Sequence, residues 1–244
     1  MHTKTEIAFE IQPQPNDVTC GPTCLQAIYQ HYGDDIHLDQ VIQETSQCYD
    51  GGTLAVLLAK HAIGRGYKAT IYSYNLQVFD PTWFSLPAKE IELRLMRQLE
   101  FKADPKLHFV IQSYIEYIQC GGVIRFDELK GRLLQKYLNR ERPILTGLSS
   151  TYLYQCARER PSESNPHASE YDDLRGDPTG HFVILRGYDK ENRKVLVADP
   201  LLPNPIQPSQ NYEVGFDRLI CSILLGTITY DSNLLIIEPR GDLR

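Results

Sequence analysis

The segment Gln14-Pro-Asn-Asp-Val-Thr-Cys20-Gly-Pro-Thr-Cys24-Leu-Gln-Ala-Ile-Tyr-Gln-His-Tyr32-Gly33 changes character at its first cysteine. Up to Thr19 the chemistry is that of a turn, with Pro15, Asn16 and Asp17 holding the chain out of regular structure. From Cys20 onward, Leu25, Ile28, Tyr29 and Tyr32 recur at the spacing of one helix face, and Gly33 supplies the stop. Cys20 therefore falls where a loop becomes a helix. Unpaired backbone N–H groups and the positive end of the helix dipole gather there, and both favour a thiolate. A thiolate is the nucleophilic form of cysteine, and a histidine nearby can take the proton. The competing reading of Cys20 is a buried, inert cysteine. The turn before it and Gly21 after it, which lets a substrate backbone approach, favour a reactive one.

Working outward, the N-terminal half predicts helices. Glu6–Ile11 reads as a lead-in strand, Leu38–Thr45 as a short helix, Gly51-Gly52-Thr53 as a turn and Leu54–Ile63 as a second long helix. Lys68–Tyr74, rich in β-branched residues and tyrosine, predicts a strand. Three amphipathic helices follow over Glu90–Phe101, Pro105–Ile118 and Glu128–Asn139. After Arg142 the period changes. Pro143–Leu148, His181–Tyr188, Lys194–Ala198 and Asn233–Ile237 are apolar runs bounded by Gly, Pro or Asp, and read as one antiparallel sheet. An amphipathic helix is expected near Glu213–Leu225. Helices first and a sheet afterwards is an α+β order.

His181 opens its strand behind Gly180, which would set the ring at a sheet edge near the surface. The other histidines, at 2, 31, 37, 61, 108 and 167, read as solvated or core-satisfied. Asp199 ends the next strand. If the two strands pair as a hairpin, Asp199 can accept the imidazole Nδ1–H and orient the ring, although Asp199-Pro200 is equally an ordinary turn signal. Gln14, six residues before Cys20, carries an amide that can donate to a developing oxyanion beside the Cys20 N–H. Gln12 competes for that role.

Composition narrows the classes. The chain has 244 residues and a net charge of −6, which argues against a nucleic-acid binder. No apolar run reaches the ~18 residues of a membrane span. Met1–Glu10 carries two acids and lacks the apolar core of a secretory signal, so a cytoplasmic location is expected. The six cysteines fit reduced thiols in a chain large enough to need no disulfide, and no Cys/His set resembles a metal site.

The motif Q-x5-C-G-P-T-C-L-x-A over Gln14–Ala27 resembles the opening of the C39 peptidases and their C39-like relatives. Gly52-Thr-Leu-x3-Leu-Ala-Lys-x3-Gly64-x-Gly66 is similar to that family's second helix. Pro143-Ile144, Gly180-His-Phe-Val-Ile-Leu185 and Val197-x-Asp199-Pro200 are similar to its C-terminal half, in the same Cys, His, Asp order. The resemblance implies a papain-like fold, thiol-dependent cleavage of a peptide or protein substrate, and no metal or cofactor. It carries roles onto four positions: Cys20 as nucleophile, His181 as base, Asp199 as orienter and Gln14 in the oxyanion hole. The expected organisation is a single domain over residues 1–244, with a helical insertion at 79–140 and a polar loop at 155–180 that can act as a flap. Those two departures, and the absence of a transmembrane or ATPase part, argue against assuming double-glycine specificity or coupled export. An acyl transferase or amidase with the same residues, and a non-catalytic peptide-binding module, are the alternatives.

Overall fold

The strand Gly180–Asp189 carries the apolar run Phe182–Leu185 and is buried along nearly its whole length, as a strand covered on both faces is. The computed structural model, which describes residues 4–48, 52–162 and 169–241, places it in the middle of the sheet. His2, His167, Gly51 of the expected turn, the first three residues of the chain and the centre of the polar loop lie outside the described residues.

In chain order the strands are β1 (Lys4–Glu6), β2 (Tyr67–Ser73), β3 (Val123–Arg125), β4 (Ile144–Ser149), β5 (Glu159–Pro161), β6 (Ser169–Tyr171), β7 (Gly180–Asp189), β8 (Lys194–Ala198), β9 (Asn211–Gly215) and β10 (Asn233–Pro239). The helices are α1 (Cys20–His31), α2 (Leu38–Glu44), α3 (Ala55–Gly64), α4 (Ala88–Gln98), α5 (Pro105–Gln119), α6 (Gly131–Leu138), α7 (Ser150–Tyr154) and α8 (Phe216–Leu225). The fold is α+β. The main sheet runs β3-β2-β10-β4-β7-β8-β9, with β1 added against β7, and β5–β6 form a separate hairpin. Every pairing in the main sheet is antiparallel except β2–β3. The sheet is thus wider than its C-terminal strands, since β1, β2 and β3 join it from earlier in the chain.

Two apolar layers sandwich the sheet. On one face Phe182, Ile184, Leu145, Leu235 and Ile71 pack with α1, α3 and α5. On the other, Val183, Leu185, Val197, Leu148 and Ile236 pack with residues of α6 and α8. The expected helical block at 79–140 is therefore split: α5 belongs to the first layer and α6 to the second.

Three expectations shift. The lead-in strand expected over Glu6–Ile11 lies instead at Lys4–Glu6, where the chain pairs with β7, and shares only Glu6 with that expectation. The helix expected near Glu213–Leu225 begins at Phe216, and β9 precedes it. Tyr212 and Val214 are buried while Glu213 is exposed, and this alternation lets β9 pair with β8 as an outer strand. The polar loop carries the β5–β6 hairpin.

Helix α1 is seated unusually deeply, with every residue from Cys20 to Tyr29 buried. Its first turn fits because position 21 has no side chain. A Cβ there would lie 2.4 Å from Thr53 Cγ2 and 3.2 Å from both Leu58 Cδ1 and Phe182 Cδ2. Gly21→Ala would gain about 1 kcal/mol of helix propensity and lose about 1–3 kcal/mol to overpacking. We expect a net loss of up to about 2 kcal/mol in urea denaturation. A variant as stable as the parent would mean that the first turn can back away from β7 freely.

Candidate active site

The loop that delivers Cys20 is held by its own polar groups. The Val18 N–H donates to Asn16 Oδ1 at 3.1 Å, and the Thr19 hydroxyl donates to the Asn16 carbonyl at 3.0 Å. No side chain among the described residues caps the start of α1, so its first turn is open to a negatively charged group. Cys20 is the first residue of that turn.

His181 is the second residue of β7, opposite Leu148 of β4. The β7–β8 hairpin then delivers Asp199, one residue past the end of β8. His181 Nε2 lies 2.8 Å from Asp199 Oδ1. Two expectations need correction here. His181 does not stand at a sheet edge near the surface: β7 is an inner strand, and the side chain is 7% exposed against 0% for Asp199. The nitrogen that meets Asp199 is Nε2 rather than Nδ1.

Asp199 is densely served. Its Oδ1 also accepts the Leu201 N–H at 2.9 Å, and its Oδ2 accepts the hydroxyls of Tyr154 at 2.8 Å and Tyr212 at 2.7 Å. Burial alone would push its carboxyl up, but His181 and these donors hold it below the ordinary carboxylate value. Burial would likewise lower the His181 imidazole. The Asp199 carboxylate and the neighbouring Cys20 outweigh that and raise it to about 10. Both shifts favour a buried carboxylate–imidazolium pair.

Gln14 is tied to the same corner, since its backbone N–H donates to the Pro200 carbonyl at 2.9 Å. Its side-chain Nε2 donates one hydrogen to the Asn16 carbonyl at 2.9 Å, and the second stays available. Gln12 lines a different groove, with Gln26, Gln30 and Leu38. Cys24, one helical turn past Cys20, is fully buried. Its Sγ donates to the Phe182 carbonyl at 3.3 Å, and burial pushes the thiol well up, so it packs rather than reacts.

Two clefts meet at this corner and share Asp17, Gly180 and His181. The first, about 260 Å³, is lined by Cys20, Thr53, Lys106, Phe182 and Asp231. Asp231 accepts the Ala55 N–H at 3.0 Å at the start of α3, and burial pushes its carboxyl up to about 7. The second, about 230 Å³, is lined by Gln14, Tyr154 and the hairpin residues Glu159, Ser169 and Tyr171. A larger cavity of about 590 Å³, beside Phe9, Gln30, His31 and Asp34, holds none of the four expected site residues. No group of three or more His, Cys, Asp or Glu among the described residues is placed to hold a metal ion. Among the described residues, no helix is long and apolar enough to cross a membrane.

The structure thus gathers Cys20, His181, Asp199 and Gln14. Sequence reasoning missed Tyr154, Tyr212 and Asp231. For Tyr212 a signal existed in the Tyr212/Val214 alternation; for the other two, only tertiary structure brings them in.

The buried pair makes a pH-dependent contribution to stability. Asp199 is depressed, so its share is present above an unfolded value of about 3.9 and lost below it. His181 is raised, so its share is complete below about 6.5 and fades as pH climbs towards about 10. Asp199→Asn should therefore cost most between about pH 4 and 6.5, on the order of 3 kcal/mol. The gap from the parent should narrow towards either extreme. Urea denaturation across pH measures this, and a gap independent of pH would overturn the ion-pair assignment.

Comparison with known proteins agrees with the resemblance in the sequence. Residues 110–217, less than half of the chain, match the model of the Peptidase_C39 like family. That stretch contains His181 and Asp199 but neither Gln14 nor Cys20. Among solved structures, the chain is similar to a putative C39-like peptidase from Bacillus anthracis, at 14% identity over 98% of this chain and 99% of that one, with a TM-score of 0.48. It is also similar to Xylellain, a cysteine protease from Xylella fastidiosa, at 13% identity over 98% and 87%, with a TM-score of 0.48. A third similar structure is a double glycine motif protease from an AMS/PCAT transporter in complex with the leader peptide. It shows 13% identity over 96% and 94%, with a TM-score of 0.44. No curated protein matches the chain.

Proposed function

We propose that this chain is a cysteine peptidase that cleaves a peptide, isopeptide or related amide bond through an acyl-enzyme on Cys20. One observation carries the reading: Cys20 opens an uncapped helix beside a histidine that is ion-paired to a fully buried Asp199.

His181 takes the Cys20 proton on Nδ1, while Nε2 stays hydrogen-bonded to Asp199. The sulfur attacks the substrate carbonyl carbon, forming a C–S bond and placing negative charge on the oxygen. The Cys20 backbone N–H and the second Gln14 amide hydrogen serve that oxygen. The C–N bond then breaks, and the imidazolium proton leaves with the amine. A water, deprotonated by His181, attacks the thioester, the acid departs and the proton returns to sulfur. The substrate lies across the Cys20–His181 corner, with one flank in each cleft. The β5–β6 hairpin, which walls the second cleft, covers one of these flanks.

The test reads each cysteine separately. Cys20 should be alkylated by iodoacetamide faster than the other five cysteines and well below the ~8.5 at which an ordinary thiol ionises. His181→Ala should slow that labelling by at least about tenfold, one unit of displaced ionisation. Turnover of a peptide or amide library should disappear in Cys20→Ala, by at least about 10³-fold. Labelling of Cys20 no faster than that of exposed Cys120 and Cys221 would overturn the assignment. Peptide bound equally by parent and Cys20→Ala, with turnover in neither, would instead identify a binding module.

A further inference from the structure

Tyr154 and Tyr212 touch the site but take no part in the reaction as written. Tyr154 closes α7, at the root of the segment that leads into the β5–β6 hairpin. Its ring centroid lies 6.0 Å from that of His181, and it also lines the second cleft. Tyr212 is buried in β9, opposite Val197 of β8. The two come from different elements, α7 and β9, and converge on the same oxygen, Oδ2.

We infer that Tyr154 and Tyr212 are positioning residues of the reaction proposed above: their hydroxyls jointly hold Asp199 ionised and keep its Oδ1 turned to His181. The inference rests on the Cys20–His181 reading and adds a requirement to it. Asp199 is 0% exposed, so solvent serves neither of its oxygens. Oδ1 has two donors of its own, His181 Nε2 and the Leu201 N–H, and Oδ2 depends on the two phenols. A carboxylate that accepts several donors stays charged in a buried place, and one stripped of them takes up a proton. A protonated Asp199 no longer supports positive charge on His181, and the imidazolium that stabilises the Cys20 thiolate is lost with it. Burial pushes both phenols well above their ordinary value, so they act only as donors near neutral pH.

Tyr→Phe keeps the ring and its packing and removes only the donor. Tyr154→Phe, Tyr212→Phe and the double variant would be compared by urea denaturation, by the pH profile of Cys20 alkylation and by NMR titration of the His181 ring. Each single variant should lower the alkylation rate at pH 6 by about threefold to tenfold, a rise of up to about one unit in the profile midpoint. The double variant should exceed either single one and approach Asp199→Asn, and the His181 midpoint should fall in step. A purely structural role would lower the urea midpoint and leave both pH midpoints in place, which would overturn the inference. Should the double variant not fold, the single variants decide the question by the same two midpoints. Failure of the underlying reading looks different, because the parent protein itself would then show no fast labelling at Cys20.

Discussion

A carboxylate and an imidazole lie 2.8 Å apart with almost no solvent on either, and the surrounding structure is arranged to tolerate that. Burying two charges costs more than their attraction returns unless the remaining lone pairs and protons are met. Here they are met from four directions. Oδ1 has the imidazole and the Leu201 N–H, and Oδ2 has the phenols of α7 and β9. The segments that reach Asp199 are scattered along the chain, so its full set of donors is complete only in the folded sheet. The β7–β8 hairpin sets its spacing, β9 brings Tyr212 alongside, and the bond from Gln14 to Pro200 draws in the loop before α1.

The second constraint is how close α1 comes to the sheet. A helix start offers a positive end only to what lies directly in front of it, and the effect fades within the first turn. Cys20 must therefore be brought to His181 by the packing of the helix itself. Gly21 permits that approach, and the Cys24 thiol, donating to the Phe182 carbonyl, marks how near the helix lies to β7 one turn later. The two cysteines of the opening motif thus divide the work. One opens the helix beside the histidine, and the other is packed beneath it and chemically silent.

Most of the elements were legible because their signals are local. The apolar spacing of Leu107, Val110, Ile111, Tyr114 and Ile115 needs nothing beyond α5 to be read as a helix, and each of these residues is buried. The candidate site was legible in outline for a different reason. Cys20, His181 and Asp199 each sit at the end of an element, where turn chemistry marks them. What stayed hidden depends on who the neighbours are. The apolar run Phe182–Leu185 of β7 signals a strand covered on both faces, yet it does not say how deep the residue before it sits, so His181 read as more exposed than it is. Which imidazole nitrogen meets Asp199 depends on ring orientation, and spacing along the chain does not encode that. Five residues of alternation in β9 were absorbed into the stronger amphipathic pattern of α8, and Tyr212 was lost with them.

Part of the wall of each cleft comes from outside the motifs that mark the centre. Lys106 arrives with α5, Asp231 from the turn before β10, and Glu159, Ser169 and Tyr171 from the β5–β6 hairpin. The centre is carried on α1, β7 and the end of β8, where backbone pairing and core packing fix it. The walls mix one helix with loops and a hairpin that packs outside the main sheet. Such a division lets wall residues change while the distance from His181 to Asp199 stays the same, since none of them donates to the pair. Tyr154 and Leu201 are the exceptions: both line the second cleft and also donate to Asp199. Whatever displaces α7 from the cleft side must therefore disturb the carboxylate as well. In this fold the region that receives a molecule and the region that sets the charge state of the histidine meet at Tyr154, whose ring faces the cleft and whose hydroxyl holds the carboxylate.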